Sequence, residues 1–354
     1  MIDIWSMALA LTCWALLVQA LRFRRRLWLR QSTGFELAYC LAFVEFPAMW
    51  EAATSFGFLL TFAVPSVSVI LRKTRGFADS GQRRYDDTAL LMHAIAEHGP
   101  HHPSGIAAMA RLNQIHRPHP IRNADMLFTL WVFCFEPLRW VAALGYRAVT
   151  PREADAVFAF WRDIGVGLQI QDIPPTRREF ECWGHEFMGK SFRYFAANRE
   201  LTDDVLAVVG AWGPSWAASK ELKVKATLCA IFALLPAVYT CEGEFRAESE
   251  REIGLLVAAL GLTKERDEFE ASWSSWLFGW TLAAALRLWA GLTALLLPPR
   301  PRAWASVLLA PAAGGIDGCP VFRIRRPAEF AASHADGVFD LDDLGLFAET
   351  DKAK

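Results

Sequence analysis

The chain has 354 residues, of which 53% are hydrophobic, and its formal net charge is −1. A chain of this length can bury a sizeable core, and its near-neutral charge lacks the basic field that nucleic-acid binding requires, so no nucleic-acid partner is expected. The seven cysteines are scattered, which argues against a disulfide framework or a structural zinc site and for a reducing compartment. The mean hydropathy of +0.20 is typical of a membrane-associated protein.

Near the N-terminus, residues 4–21 form an apolar run without charge that is just long enough to cross a bilayer core. Five arginines follow closely, at positions 22, 24, 25, 26 and 30. A cleaved signal peptide would have its positive charge before the apolar run and a small-residue cleavage site after it, and both are missing. The positive-inside rule therefore predicts a single membrane-spanning helix with the following residues in the cytoplasm. The alternative is an amphipathic or buried first helix.

Most of the remaining sequence follows a helical pattern. Residues 35–72 are apolar and are interrupted by Pro47 and Pro65. Further helices are predicted over 85–96, 103–116, 123–140 and 151–164, from 177 onward, and over 202–212, 219–235, 247–260 and 265–297. No sustained alternation of apolar and polar residues occurs, so the fold class is predicted as all-α.

Three of these helices carry starting signals. Ser104 is the predicted cap of the helix that ends at His116, and Asn123 or Asp125 is the predicted cap of the helix after it. Thr150 is followed directly by a proline and three residues later by a glutamate, which predicts a capping box at the start of the 151–164 helix.

Two later segments resemble membrane spans in composition. Residues 226–239 are too short and contain Pro236, and residues 276–297 are long enough but carry Arg287 near the middle, where a charge facing lipid is costly. We expect both to be buried helices or helices lying against the membrane surface. The chain is thus divided into an anchor with its basic flank (1–30), a helical domain (31–297) and a tail rich in Pro, Arg and Gly (298–354).

Arg84, Asp87 and Thr88 lie close together near the start of a predicted helix. Arg84 and Thr88 are four residues apart and therefore share a helix face, with Asp87 beside them. The apolar stretch that follows would place a guanidinium and a hydroxyl at the edge of the core. By themselves, these residues favour an ordinary charged helix start in which arginine and aspartate form a surface pair.

His116 ends an apolar helix, just before a proline-bounded turn. An inward-facing histidine can coordinate a metal or haem iron through one ring nitrogen while a neighbour orients the other. A lone histidine is more often a satisfied surface or core residue.

A second candidate metal site is formed by His98, His101 and His102, which match the HxxHH spacing of membrane diiron hydroxylases. The glycine and proline between them interrupt the helix that such a site needs, and the sequence contains no second box of ligands. Nucleotide-binding loops, a nucleophile elbow and an HExxH motif are also missing from the sequence.

Several short motifs, taken in order, resemble the mpaB/rubber oxygenase catalytic domain family, which includes fungal ER-bound oxygenases and the bacterial latex clearing proteins. The matching stretches are RRYDDT (83–88), RLNQIH (111–116), NADML (123–127), FCFEPLRW (133–140), FWR (160–162) and DIP (172–174). Each stretch is short, and the resemblance depends on their joint order and spacing over residues 40–200.

The resemblance implies an all-α, globin-like, multi-helix domain that binds haem b, with an N-terminal transmembrane helix. His116 matches the family's axial iron ligand, and Arg84 and Thr88 match residues on the opposite side of the haem. In the rubber oxygenases a lysine that can occupy the free iron position precedes that threonine, and this chain has Asp87 there. Those enzymes also use a glutamate upstream, where this chain has Ser68. Glu45 and Glu51 lie further upstream, so the general base is unassigned.

The activity implied by the resemblance is that of a haem b-dependent oxygenase that uses O₂ to cleave a carbon–carbon double bond in an apolar, prenyl- or terpenoid-like substrate of secondary metabolism. The fungal members imply a single-pass protein of the endoplasmic reticulum whose catalytic domain faces the cytosol. Three alternatives stay open: a haem monooxygenase or peroxidase-like biosynthetic enzyme, a non-enzymatic haem-binding or membrane scaffold protein, and a non-haem diiron hydroxylase. No oligomeric state is predicted.

Overall fold

The computed structural model describes residues 4–211, 256, 259 and 273–297. The helices in this part of the chain are α1 (Ile4–Leu29), α2 (Gly34–Tyr39), a π-helical turn (Cys40–Glu45), α3 (Pro47–Thr61), α4 (Pro65–Lys73), α5 (Gly76–His98), α6 (Pro103–His116), α7 (Asn123–Leu144), α8 (Pro151–Gly167), α9 (Arg177–Ser191), α10 (Ala196–Ala211) and α11 (Trp273–Leu296). No strand occurs among the described residues, which confirms the all-α prediction for them.

The first helix, α1, continues without a break from the predicted span through its basic flank. Its segment Trp5–Leu29 is long and apolar enough to cross a membrane, and little of that surface is covered by the rest of the protein. Trp5, for example, is 83% exposed. An outward-facing apolar surface of this length is suited to lipid rather than to water, which supports membrane association.

The central helix of the core is α7, which is also long and apolar enough to cross a membrane but is mostly buried. Phe128, Trp131 and Val132 of α7 have no exposed surface. Helix α3 approaches α7 so closely at Gly57 that a methyl group there would lie 2.5 Å from Val132 Cγ1. On another side, α9 presents Gly184 to the indole of Trp131, again without room for a side chain. These close contacts make α7 a core helix.

The two prolines of the 35–72 segment begin helices. Pro47 and Pro65 occupy the first turns of α3 and α4, where their missing N–H groups cost nothing. The two helices meet at an angle of 93°. Ser68 lies at this corner, fully buried, and donates a hydrogen bond of 2.6 Å to the carbonyl oxygen of Phe62.

The capping box at the start of α8 is confirmed. The Thr150 hydroxyl accepts a hydrogen bond from the Glu153 N–H, and the Glu153 carboxylate accepts one from the Thr150 N–H. The helix continues past the predicted end at residue 164 to Gly167.

The predicted caps of α6 and α7 are wrong. His102 caps α6, and its Nδ1 accepts a hydrogen bond of 3.2 Å from the N–H of Ser104. Because Pro103 takes the first helical position, the capping residue has to precede it. Helix α7 begins at Asn123 without a side-chain cap, since both Asn123 and Asp125 are already inside the helix.

The helix predicted over 85–96 is part of the longer α5, which is kinked where Ser80 has non-helical backbone angles (φ −151°, ψ 51°). The helix predicted over 202–212 corresponds to α10. The later part of the helix predicted over 265–297 corresponds to α11. The helices predicted over 219–235 and 247–260 and the tail from 298 lie outside the described residues, apart from Leu256 and Ala259. The three-part division of the chain therefore stays a prediction.

Candidate functional site

Arg84 and Thr88 share one face of α5, as their spacing predicts. Arg84 Nη1 donates a short hydrogen bond to the Thr88 hydroxyl, which itself donates a hydrogen bond of 3.0 Å to the carbonyl oxygen of Arg84. Burial lowers the pKa of the Arg84 guanidinium, and the negative charge of Asp87 partly opposes this effect. Because Asp87 is only 1% exposed, this is not an ordinary surface pair. The three residues named from the sequence lie together in a poorly solvated region.

The kink at Ser80 and the glycine after it determine where Arg84 lies. A methyl group at Gly81 would lie 2.6 Å from Val208 Cγ2, so α10 contacts α5 directly after the kink. Before the kink, Phe77 packs into the core, and its ring centroid is 5.8 Å from the guanidinium carbon of Arg84. This aromatic contact and the Thr88 hydroxyl hold the Arg84 side chain from both sides.

His116, the last residue of α6, has the properties of a metal ligand. Its Nδ1 atom is buried and has no hydrogen-bond partner in the part of the chain that the structure describes. Burial, followed by the positive charges of Arg84 and His119, lowers the pKa of His116 to about 4. The imidazole is therefore neutral at pH 7, as a histidine must be to coordinate a metal. A buried ring nitrogen without a partner fits a site whose ligand comes from outside the polypeptide.

His116 and Arg84 also face the same region. Helix α6 packs against α5, and the charge of Arg84 is close enough to affect the pKa of His116. Arg84 and His116 lie on different helices, and the packing of α6 against α5 brings them together.

The HxxHH residues do not converge on a common point. His101 is exposed, and its Nε2 lies 2.9 Å from Asp163 Oδ2. The rings of His98 and His102 stack with centroids 4.6 Å apart, and His102 caps α6. Among the described residues, no group of three or more His, Cys, Asp or Glu side chains is arranged to hold a metal ion.

Two asparagines within the matching motifs fix the loop between α8 and α9. Asn113 Nδ2 donates a hydrogen bond of 2.9 Å to the Gly167 carbonyl oxygen. Asn123 exchanges two hydrogen bonds with the backbone of Gln171, at 2.9 and 2.8 Å. Gln169 and Asp172, in the same loop, have positive φ angles of 61° and 58°. These asparagines therefore stabilise an irregular loop and have a structural role.

The FCFEPLRW motif supplies a buried ion pair in the core. Glu136 is fully buried, and its Oε1 lies 2.6 Å from Arg139 Nη1. The Arg139 guanidinium also lies over the Trp131 ring and 3.3 Å from His185 Nε2. Breaking a pair of this kind leaves one buried charge uncompensated, which costs several kcal/mol.

The carboxylates upstream of Arg84 differ strongly in their surroundings. Ser68, at the position where the resemblance implies a glutamate, donates a hydrogen bond to the backbone and cannot accept a proton as a carboxylate would. Glu45 lies 3.5 Å from both Arg25 and Arg147 and accepts a short hydrogen bond from Tyr146. Glu51 has no ion pair or hydrogen bond among the described residues, and burial raises its pKa to about 7. A carboxyl group with a pKa in this range can exchange a proton near neutral pH, which makes Glu51 a candidate general base.

The interactions of Glu45 are part of a network that the sequence did not indicate. Burial, with the charge and hydrogen bond of Glu45, raises the pKa of Tyr146 to about 12. Arg147 also pairs with Glu153 at 2.7 Å, and Arg22 donates a hydrogen bond of 3.2 Å to the Tyr146 hydroxyl. The members come from three distant parts of the chain, so no local motif could have revealed them.

Comparisons with known proteins converge on one family. The family model described as ER-bound oxygenase mpaB/B'/Rubber oxygenase, catalytic domain, matches residues 43–314, a range that includes Arg84, Asp87, Thr88 and His116. The chain is 28% identical over 232 residues to the ER-bound oxygenase mpaB of Penicillium roqueforti (strain FM164), covering 56% of this chain and 78% of that protein. It is 27% identical over 227 residues to the ER-bound oxygenase mpaB' of Penicillium brevicompactum, covering 55% of this chain and 54% of that protein.

A third relative, the ER-bound oxygenase mpaB of Penicillium brevicompactum, is 26% identical over 227 residues, covering 55% of this chain and 58% of that protein. The match thus spans little more than half the length of the two Penicillium brevicompactum proteins. No solved structure matches the chain.

Proposed function

The chain belongs to the family of ER-bound oxygenases mpaB/B' and rubber oxygenases and is therefore an oxygenase, and on that premise we propose that it binds haem b through His116 and uses O₂ to cleave a carbon–carbon double bond in an apolar, prenyl-like substrate. The observation that carries the proposal is the buried Nδ1 of His116, which has no partner among the described residues. Haem supplies an iron that activates O₂, a chemistry that amino-acid side chains lack.

His116 would hold the haem iron, and its imidazole is already in the neutral form that coordination requires. With a pKa of about 4, the ring has no proton to lose before it binds iron at pH 7. Its position at the end of α6, which packs against α5, places the ring near the Arg84 guanidinium. The globin-like character of the helical domain belongs to the same proposal.

Arg84 and Thr88 bind and orient oxygen-bearing groups. The guanidinium is held by Phe77 and by the Thr88 hydroxyl, so its N–H donors have a fixed direction. In a poorly solvated region such preorganised donors stabilise developing negative charge far more than they would in water. The negative charge of Asp87 favours the charged form of the buried Arg84, which gives this aspartate a supporting electrostatic role.

Membrane attachment completes the proposal. The apolar surface of α1 and the basic residues that follow the predicted span support a single-pass protein whose catalytic domain faces the cytosol. The relatives are named ER-bound, and we propose the same membrane for this chain. Anchoring at a bilayer would give the enzyme direct access to apolar substrates dissolved there.

The ligand assignment is tested by the absorption spectrum of the detergent-purified full chain. We expect a Soret band that is lost or strongly shifted in His116→Ala and retained in His119→Ala. His119 is the matched control because it lies in the turn just after α6. An unchanged Soret band in His116→Ala protein would show that another group binds the haem, and a wild-type protein without haem would refute the cofactor.

The reaction is tested separately by product analysis with isotopically labelled O₂. Cleavage of the double bond should place label on both new carbonyl groups, whereas a monooxygenase would place one labelled atom in a product with an intact carbon chain. A peroxidase-like enzyme would require peroxide in place of O₂.

A further inference from the structure

Helix α11 has its apolar side on the outside of the protein. Over 283–297, the side chains that face inward are mostly small, and Ala283, Ala290 and Ala294 are 1–8% exposed. The outward face carries a strip of large apolar residues that are 40–66% exposed: Leu288, Trp289, Leu292, Leu295 and Leu296. A helix on the surface of a soluble domain shows the opposite distribution, with polar residues outward.

The end of α11 is capped by side chains of α1. Trp14 Nε1 donates a hydrogen bond of 2.6 Å to the Leu296 carbonyl oxygen, and Gln19 Nε2 donates one of 3.2 Å to that of Ala294. Arg22 donates to the carbonyl oxygens of Ala294 and Leu297, at 2.7 and 3.0 Å. The last carbonyls of a helix have no partner within the helix, and water satisfies them at an ordinary surface. Where water is excluded, other donors have to satisfy these carbonyl oxygens, and the side chains of α1 do so.

Arg287 is the charged residue that argues against lipid contact for this segment. Its Nε donates a short hydrogen bond to the Ala143 carbonyl oxygen at the end of α7, so its charge is directed at the protein. The apolar strip of α11 therefore faces outward without a charge of its own, and the usual objection to lipid contact is removed.

We propose that the α11 strip lies against the acyl chains of the bilayer that α1 crosses, so that two helices hold the protein in the membrane. The inference rests on the proposed membrane anchoring by α1. Lipid is the expected occupant because the strip is continuous with the anchor: Leu296 is bonded to Trp14, and the neighbouring Leu16 and Leu17 of α1 are also exposed. The described apolar segment Ala283–Leu296 carries this strip and is about 21 Å long.

This arrangement also explains the polar residues of α1. Gln19 lies within the uncharged run and Arg22 directly after it, and both donate hydrogen bonds to carbonyl oxygens of α11. The end of α11 thus meets α1 between Trp14 and Arg22, at the basic end of the predicted span.

Spin labels on the full chain test the proposal in lipid nanodiscs that hold one copy each. Labels are placed at Leu288→Cys and Leu292→Cys in a background without the seven native cysteines whose circular dichroism matches that of the unmodified protein. Leu16→Cys on α1 serves as the lipid reference, and the exposed Lys190→Cys on α9 as the water reference. Collision rates are measured with O₂, which dissolves in lipid, and with a polar nickel complex, which does not.

We expect the ratio of O₂ to nickel collision rates at both α11 positions to match Leu16→Cys and to exceed Lys190→Cys on the order of tenfold, since the polar complex is excluded from hydrocarbon. A ratio equal to that of Lys190→Cys would mean that the strip faces water. Low rates with both reagents would mean that protein covers it. Either result would overturn the proposal, whereas a water-like ratio at Leu16→Cys itself would refute the anchoring by α1.

Discussion

Replacing Glu51 with glutamine should stabilise the protein at high pH and leave it nearly unchanged at low pH. Burial raises the pKa of Glu51 from its ordinary value of 4.5 to about 7, so the folded protein holds this proton more tightly than the unfolded chain does. Below the unfolded pKa, Glu51 is protonated in both states and does not lower the free energy of unfolding. That free energy falls as the pH rises from 4.5 to about 7. Glutamine resembles the protonated carboxyl group and has no charge to bury.

The size of the effect follows from the two pKa values. Each pKa unit corresponds to about 1.4 kcal/mol, so the rise from 4.5 to about 7 corresponds to about 3 kcal/mol. Because this side chain is partly exposed, solvent weakens the effect. We therefore expect Glu51→Gln to raise the free energy of unfolding at high pH by about 2 kcal/mol. For a chain of this size that raises the melting temperature by roughly 4 °C.

Thermal unfolding of the detergent-purified protein measures this difference at about pH 4 and about pH 8, below the unfolded pKa and above the folded pKa. Glu186→Gln is the control, because that carboxylate is exposed and pairs with Lys190 on its own helix. We expect Glu51→Gln to melt above the wild type at the higher pH only, and Glu186→Gln to shift little at either. A Glu51→Gln protein that is less stable at both pH values would show that the carboxylate has an ionic partner, and the reasoning would be refuted.

Three further predictions concern the framework around the site. Gly184→Ala should lower the free energy of unfolding by about 3 kcal/mol, because the new methyl group overlaps the buried Trp131 ring. Burial alone would raise the pKa of Glu153, but hydrogen bonds from Arg147 and the Thr150 backbone outweigh it and lower that pKa. Glu153→Gln should therefore cost about 3 kcal/mol at neutral pH, and the deficit should shrink as the pH falls below 4.5 through the folded pKa. Asn123→Ala should cost about 1 kcal/mol and speed proteolysis of the loop before α9, since two hydrogen bonds to it are lost.

Each of these predictions has a control in the same chain. Gly189→Ala adds a methyl group to α9 where nothing lies within 4 Å, so helix propensity should make it slightly stabilising. Equal losses at positions 184 and 189 would contradict the packing argument. A deficit of Glu153→Gln that did not change with pH would contradict the charge argument. Asn123→Asp keeps the acceptor and loses the donor, and it should show about half of the loop effect of Asn123→Ala.

Features that depend on neighbours a few residues apart could be predicted from the sequence. The capping box at Thr150, the breaks at Pro47 and Pro65 and the shared face of Arg84 and Thr88 all follow from local geometry. The caps of α6 and α7 show the limit of such reasoning. Several residues near each helix start can accept the required hydrogen bond. The backbone position at which the helix begins decides which of them, if any, does so.

Properties that depend on burial needed the folded chain. Glu45 and Glu51 are equivalent in the sequence, yet one is paired with Arg25 and Arg147 and the other has no such partner among the described residues. The difference comes from α1 and from the segment after α7, which lie far away along the chain. In the sequence, the charge of Arg287 argued against lipid contact for its helix. In the structure, the carbonyl oxygen of Ala143 in α7 accepts a hydrogen bond from Arg287.

For the candidate site itself, the sequence determined the residue types and their order. The tertiary structure decided how deeply these residues are buried and which of them lie close together. The order of the motifs pointed to His116, Arg84 and Thr88 without showing that they meet. The packing of α6 on α5 brings His116 within reach of the Arg84 charge and removes water from both. Loss of solvent lowers the pKa of the imidazole and leaves its Nδ1 without a partner among the described residues, and no local pattern of residues encodes it.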